Sequence, residues 1–324
     1  MLIAVLLTIH ASAASAQVTA IRAWRVVDPD AGTTAQNQVI LVENGRITAI
    51  GRNVAILTGA NGIDLSMSTI SPGLVDAHTH AHTHAHTHAH THAHTHAHAH
   101  LCLGVQERRD AGSYYLTTLR DPDAMRAIQG VVNARTMLQA GFTTVRDIGN
   151  EGNYACVQVR RAIEAGLIVG PTMITAGRII APYGGQFHLQ PDKRALAEPE
   201  YFFADTPDEM VKGVREHAHY GATVIKSVID DQPYLYSTVD ATRCAQCRRG
   251  RRRAHRIGVR LVYGTDAISL LRGTTRGADA MTGIDPWVDA GIPASAILTT
   301  MTTDATRLLG VVSFVMKDGR VVGR

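Results

Sequence analysis

Aromatic residues are scarce. Phenylalanine, tryptophan and tyrosine together make up 5% of the 324 residues, so a core is expected to rest on alanine, valine, isoleucine and leucine. An excess of one charge is also lacking. The 32 basic and 28 acidic side chains leave a formal +4 at pH 7, too mild to imply a nucleic-acid partner. No later run approaches the ~20 apolar residues that a membrane-spanning helix requires. Cysteine is limited to Cys102, Cys156, Cys244 and Cys247, which is compatible with an oxidising compartment and demands none. "CAQC" at 244–247 has redox or zinc spacing, but no second ligand pair stands where a structural zinc would need it. With 45% hydrophobic and 19% charged residues, the chain has ordinary globular composition. Its length suits one large domain with an accessory piece, or two domains.

The first residues, "MLIAVLLTIHASAASAQ", place a short apolar run, Leu2 to Ile9, ahead of small residues ending in Ala14-Ser15-Ala16. That is the pattern of a secretory leader cleaved after Ala16, although no Lys or Arg precedes the apolar run. A buried strand or helix is the competing interpretation. Residues 1–16 are therefore expected to be a signal peptide, and the mature protein secreted or periplasmic.

Two β-rich runs follow, "AIRAWRVVDP" and "NQVILVENGRITAIG". The second carries Asn44-Gly45, a strong hairpin signal. The C-terminal "VVSFVMKDGRVVGR" repeats the device with Asp318-Gly319. A small β-sandwich domain built from both termini, residues 17–70 plus 311–324, is the expected arrangement. Between them, over 71–310, short strand-like runs alternate with helical stretches. "GLVDAHTH", "TTVRDIG", "TMITAGR", "ATVIKSVI" and "VRLVYGTD" have apolar bodies and polar C-terminal ends. "DAMRAIQGVVNARTMLQAG" and "TPDEMVKGVREHAHYG" read as helices, the second opening on Thr206-Pro207 with Glu209 and closing on Gly221. Such alternation implies parallel strands joined by crossovers. Polar groups gathered at strand C-termini fit a (β/α)8-type (TIM) barrel with its site on that face.

Residues two apart in a strand point the same way, so His78 and His80 would project together from a strand end and could grip one metal ion. Two surface histidines at a strand end are the plainer alternative. Lys226 lies inside the apolar run "TVIKSVI", where a lone ammonium is costly. It reads as a metal-bridging ligand after carbamylation, as a base of lowered pKa, or as a lysine reaching out to a salt bridge. Asp266 closes "VYGTD"; a carboxylate there can bind metal and take a proton from attacking water.

Together these stretches resemble the amidohydrolase superfamily, most closely its imidazolonepropionase-like and Xaa-Pro-dipeptidase-like branch. "SPGLVDAHTH" is similar to the first-strand metal motif, "AGFTTVRDIG" to the second strand, and "RRAIEAGLIVGPTMITAGRII" to the run into the third. "GATVIKSV" resembles the lysine strand, "YGTDA" the eighth strand, and "DAGIPASAILTTMTTDATRLLG" the helices after it. The resemblance implies a barrel flanked by a small sheet from both termini. It implies that His78 and His80 bind the more buried metal, that Lys226 as a carbamate bridges two divalent ions, usually zinc, and that Asp266 is both ligand and proton shuttle; one or two bound ions are expected. The implied reaction is hydrolysis of an amide, dipeptide-like or cyclic C–N bond in a small-molecule or dipeptide substrate. Tyr183, His188 and Tyr234 are candidate substrate contacts.

The chain departs from that family between Lys226 and Asp266. Residues 227–265 number only 39, whereas three strands and four crossovers need about 60. Strands five to seven, two of which would each supply a histidine, are therefore expected to be deleted. The space holds an arginine-rich loop, 244–256, without the interleaved aromatics that base stacking uses. His188, His217, His219 and His255 are the remaining candidates for substitute ligands. A barrel short of three strands has open edges and an uncovered core, and folding as an open sheet, dependence on a second copy and poor folding are the three expected outcomes. The tract 78–100, with a histidine at every second position, reads as an expansion of the His78/His80 motif that takes up metals loosely; a later pair, such as His98 and His100, fits the motif as well. A catalytically inactive remnant that binds metal through this tract is the alternative function.

Overall fold

The structure, a computed structural model, describes residues 18–77, 121–148, 153–183, 191–227, 261–264, 275–282 and 284–309, with a few positions between and beyond them. His78, His80, His188, Tyr234 and Asp266 lie outside the described residues. So do residues 1–17, expected above to include a leader, the histidine tract, the Cys244/Cys247 pair and nearly all of the arginine-rich stretch. The described residues fall into two compact units.

The first unit takes in residues 18–27 and Thr34–Ile70. Its strands are β1 (Thr19–Asp28), β2 (Thr33–Glu43), β3 (Arg46–Gly51) and β4 (Asn61–Ile70), in the order β3-β2-β1-β4. β2 and β3 form the expected antiparallel hairpin. Asn44 and Gly45 both adopt positive φ, 50° and 74°, as the tight two-residue turn requires. Ala20, Ile21, Ala23, Ile40, Leu41 and Val42 are buried. β4 pairs in parallel with β1, from Thr19↔Asn61 to Val26↔Ile70. Its sequence, "NGIDLSMSTI", gave no sign of a strand because it has no buried face: nearly every residue is exposed, Met67 by 93%. Without burial there is no period-two alternation to read. The Asp64 carboxylate accepts the main-chain N–H of Ser66 at 2.9 Å along this strand.

The second unit runs on from Ser71. It holds β5 (Leu74–Asp76), α1 (Asp123–Gln139), β6 (Phe142–Asp147), α2 (Ala155–Glu164), β7 (Thr172–Thr175), β8 (Ile179–Ala181), β9 (Tyr201–Phe203) and α3 (Pro207–Tyr220). After these come α4 (Arg276–Thr282), α5 (Asp285–Asp289), α6 (Ala294–Met301) and α7 (Thr303–Leu309). β5, β6 and β7 form a parallel sheet, and β8 pairs in parallel with β9. Neighbouring segments attach at single points. Thr223 N donates to Thr175 O at 2.8 Å, Ala77 N donates to Tyr263 O at 3.1 Å, and Ile180 bridges Ser227 in parallel. The architecture is α/β with parallel strands; among the described residues these strands do not close into a ring. Near the C-terminus β10 (Met316–Lys317) and β11 (Arg320–Val321) form a two-stranded sheet of their own.

α3 begins where its sequence says it should. Thr206 Oγ1 accepts Glu209 N at 3.3 Å, Thr206 N donates to Glu209 Oε2 at 3.0 Å, and Pro207 fills the first turn, a capping box. The core of the second unit differs from the aliphatic one expected. Phe142, Tyr263 and Trp287 lie inside it, with Phe142–Tyr263 and Tyr263–Trp287 ring centroids 6.4 Å and 6.1 Å apart. Ala134, Met137, Val145, Val159, Ile163, Met173, Ile297 and Met301 surround them. Among the described residues of this unit leucine contributes buried Leu138 and partly buried Leu74 and Leu261. Few aromatics suffice because each hides more apolar area than an aliphatic side chain.

β5 and β6 approach so closely that a Cβ on Gly73 would lie 2.1 Å from Thr143 Oγ1 and 2.4 Å from its Cγ2. Gly73→Ala is expected to destabilise the protein by about 1–3 kcal/mol through overpacking. Gly62→Ala, whose added Cβ meets nothing within 4 Å, should stay within about 0.5 kcal/mol. Equilibrium urea unfolding of the two variants checks the contrast.

Candidate metal centre

The polar ends of β5 and β6 meet first. Val75 and Asp76 are fully buried at the end of β5. Ala77, immediately before His78, is gripped on both sides. Its N–H donates to the Tyr263 carbonyl at 3.1 Å, and its carbonyl accepts Arg146 Nε at 2.6 Å. The main chain that leads into the first histidine pair is thus fixed by β6 on one flank and by residues 261–264 on the other. Burial pushes the Arg146 guanidinium pKa down, and the charge of Asp76 beside it opposes the fall. Burial pushes the Tyr263 phenol up, and Asp76 and Asp285 add to the rise.

Lys226 stands on the far side of β8. Its carbonyl accepts Ile180 N at 3.0 Å, while Ile179 N donates to Glu200 O at 2.7 Å. Consecutive amides of one short strand therefore tie down the main chains of Lys226 and Glu200. The Lys226 side chain is half-buried. Burial pushes its amine down to about 8, against the fields of Glu200 and then Asp147, while Arg146 adds to the fall. The Glu200 carboxyl, 1% exposed, is pushed well above the ordinary carboxylate range by burial, with Lys226 opposing. Asp147 is buried at the end of β6, and its carbonyl accepts Ala176 N at 3.0 Å.

Of the seven residues singled out from sequence, Lys226 and Tyr183 are described. Lys226 was expected inside a strand; residues 222–226 form none, and the segment attaches to β8 through Ile180 N to Lys226 O and the Ile180–Ser227 bridge, because Thr223 and Ile225 are exposed and no apolar strand face is buried there. Tyr183 is 59% exposed; its N–H donates to Asp205 Oδ1 at 2.8 Å, its ring packs on Phe203 at 5.7 Å, and the Arg194 guanidinium covers it at 5.4 Å. His217, considered above as a substitute ligand, is unsuited to that role. Its two ring nitrogens lie 2.6 Å from Gly213 O and 2.7 Å from Arg178 O. Sequence reasoning missed Arg146, Asp147 and Glu200. The first two stand at the polar end of an apolar strand, which was the available signal. Glu200, in "AEPEYFF", has none.

Among the described residues no three His, Cys, Asp or Glu side chains are arranged to hold a metal ion. Of the implied ligands only Lys226 is among the described residues, and its chemistry is compatible with a carbamate ligand to a divalent cation. An amine held near 8 keeps a neutral, nucleophilic fraction at physiological pH, as carbamylation needs, and carboxylates suit hard or borderline divalent cations. Elsewhere in this unit Cys156 is buried in the core and disulfide-bonded.

Residues 69–232 match the model of the amidohydrolase family. The chain is 42% identical over 60 residues to a dihydroorotase of Trichlorobacter lovleyi, covering 18% of this chain and 14% of that protein. It is 46% identical over 58 residues to a 5-methylthioadenosine/S-adenosylhomocysteine deaminase of Nitratidesulfovibrio vulgaris, covering 17% and 13%. The match thus spans about one seventh of the length of these curated relatives. A Xaa-Pro dipeptidase crystallised with methionine in its active site shares the fold at a TM-score of 0.68 and 18% identity, over 91% of this chain and 89% of that one. So does the Aspergillus niger ochratoxinase, at 0.63 and 16%, over 90% and 84%.

Arg146→Met removes the charged donor to Ala77 O and the cation beside Asp76. A destabilisation of about 1.5–3 kcal/mol is expected, the range for a hydrogen bond to a charged group, and urea unfolding of the purified variant measures it.

Proposed function

Because this chain belongs to the amidohydrolase family, we propose that it is a metal-dependent hydrolase cleaving an amide, dipeptide-like or cyclic C–N bond. The observation that carries the proposal is the half-buried Lys226, its main chain held by β8 beside that of buried Glu200, its amine lowered to about 8 by burial against the fields of Glu200 and Asp147. That is unusual chemistry for a structural lysine, and perturbed titratable groups collect at functional sites. His78, His80, Lys226 as its carbamate, and Asp266 would hold one or two divalent ions, zinc first among them. The chemistry supplied by an ion held there would be activation of water near neutral pH and polarisation of the scissile carbonyl. Asp266 takes the proton from the attacking water and returns it to the leaving nitrogen. Arg146 and Tyr263 keep the strand end that launches His78 in place. The Xaa-Pro dipeptidase and the dihydroorotase among the relatives support a small dipeptide or cyclic amide as substrate; Tyr183, His188 and Tyr234 are the side chains proposed to contact it.

The proposed domain plan keeps residues 17–70 plus 311–324 as a small β domain and 71–310 as the barrel region, shortened between Lys226 and Asp266. Export is part of the proposal. A disulfide-bonded Cys156 supports an oxidising compartment, and N-terminal sequencing of exported protein should begin after Ala16.

The decisive experiment is turnover of an Xaa-Pro dipeptide and cyclic-amide panel by the zinc-loaded protein, with metal analysis after gel filtration. About one or two tightly held ions and hydrolysis are expected. Asp266→Asn should lower kcat/KM by about 10²–10⁴-fold, and Lys226→Ala should abolish turnover. Deleting residues 81–100 should strip loosely held ions and leave turnover intact. Absence of hydrolysis, with all metal binding lost on that deletion, would instead identify a remnant.

A further inference from the structure

We propose that Arg178 is a positioning residue for the site: its guanidinium fastens the main chain on either side of Glu200 to the start of β8, and so fixes the buried acid relative to Lys226. The inference rests on Lys226 being a site residue, and it concerns a side chain that the hydrolytic reading does not use.

Arg178 immediately precedes β8, and its side chain is 16% exposed. Nη1 donates to Glu198 O at 3.1 Å and to Tyr201 O at 3.4 Å, the two carbonyls that bracket Glu200. The next residue adds a third attachment, from Ile179 N to Glu200 O at 2.7 Å. Residues 178 and 179 therefore hold three carbonyls within the short stretch 198–201. Nη2 forms an ion pair with the Glu216 carboxylate on α3. The guanidinium also lies over the Phe202 ring at 5.3 Å and the Tyr154 ring at 5.9 Å, within the range of a cation–π contact. Glu216 accepts the Tyr154 hydroxyl at 3.1 Å, so one carboxylate orients both the cation and one of the rings it lies over.

Such a group is costly to bury. A guanidinium carries five N–H donors in a fixed fork, and the buried Nε of Arg178 finds no acceptor among the described residues. An apolar side chain of similar volume would fill the space beside two aromatic rings without that loss. What it could not do is hold two carbonyls and a carboxylate at fixed angles. The cost therefore points to placement and not to stability.

What is placed is the acid. Glu200 is 1% exposed, and its charge and that of Lys226 act on one another. β8 lies between the two main chains. Ile179 N reaches Glu200 O on the flank where β8 pairs with β9, and Ile180 N reaches Lys226 O on the flank that bridges Ser227. Without the guanidinium one attachment of the three to residues 198–201 remains, while β8 keeps its hold on Lys226. The acid then moves relative to the amine.

Two measurements on the full-length protein test this, and neither uses metal or turnover, so failure of the hydrolase reading would show separately. Lys226 is one of only four lysines, with Lys193, Lys212 and Lys317. Limited acetylation followed by peptide mass spectrometry therefore compares its reactivity with that of exposed Lys212. R178M alone would leave Glu216 without its cation. R178M/E216Q removes both charges and leaves the Tyr154 hydroxyl an amide oxygen to bond. In the folded double variant, acetylation of Lys226 relative to Lys212 is expected to rise severalfold. A merely structural tie would lower the urea midpoint and leave that ratio unchanged, and this outcome overturns the proposal. Second, hydrogen exchange of the natural protein should show the Ile179 and Ile180 amides among the slowest of the second unit. Rapid exchange there overturns the proposal, and this measurement decides alone should the double variant not fold.

Discussion

Desolvated charge at the ends of parallel strands is the constraint on which the second unit turns. Asp76, Asp147 and Glu200 are each at most 1% exposed; a buried carboxyl keeps its charge only beside opposite charge or strong donors, and otherwise its pKa rises, as that of Glu200 does to about 8. Arg146 and Lys226 supply that charge, and their own ionisation is disturbed in return. The hydrophobic core could have been built without any of these groups. Their presence, at the C-terminal ends of β5 and β6, just before β9 and beside β8, is a cost to folding that makes sense as equipment for chemistry.

Hydrogen bonding shows how rigidly that equipment is mounted. Ala77 is held from two neighbouring segments, and β8 spends successive amides on Glu200 and Lys226. Such main-chain attachments fix side-chain origins to a fraction of an ångström, the precision a catalytic constellation needs. A lysine placed by one exposed loop would have too many rotamers to serve.

Much of this was legible in the sequence, for physical reasons that can be named. α3 was readable because its cap residues act locally: Thr206, Pro207, Glu209 and Gly221 need no distant partner. β5 and β6 were readable because an apolar body with a polar end is a periodic signal, and Lys226 because an ammonium inside such a body is anomalous. β4 was not, since a strand exposed on both faces carries no alternation. Glu200 was not, because its importance comes from Lys226, which folding brings near and 26 positions of sequence separate. The aromatic centre of the core was missed by weighing residues by number and not by area. Asp266 and the histidine pair remain statements of sequence, since they lie outside the described residues.

β4 ends the four-stranded sheet, and ten residues of extended chain at a sheet margin could template another molecule's strand. Asp64 answers that hazard from within. By occupying the amide of Ser66 it withdraws one donor from the row an incoming strand would have to match. The two-sided exposure that made β4 hard to recognise is also what leaves its margin to be guarded by polar side chains such as that of Asp64.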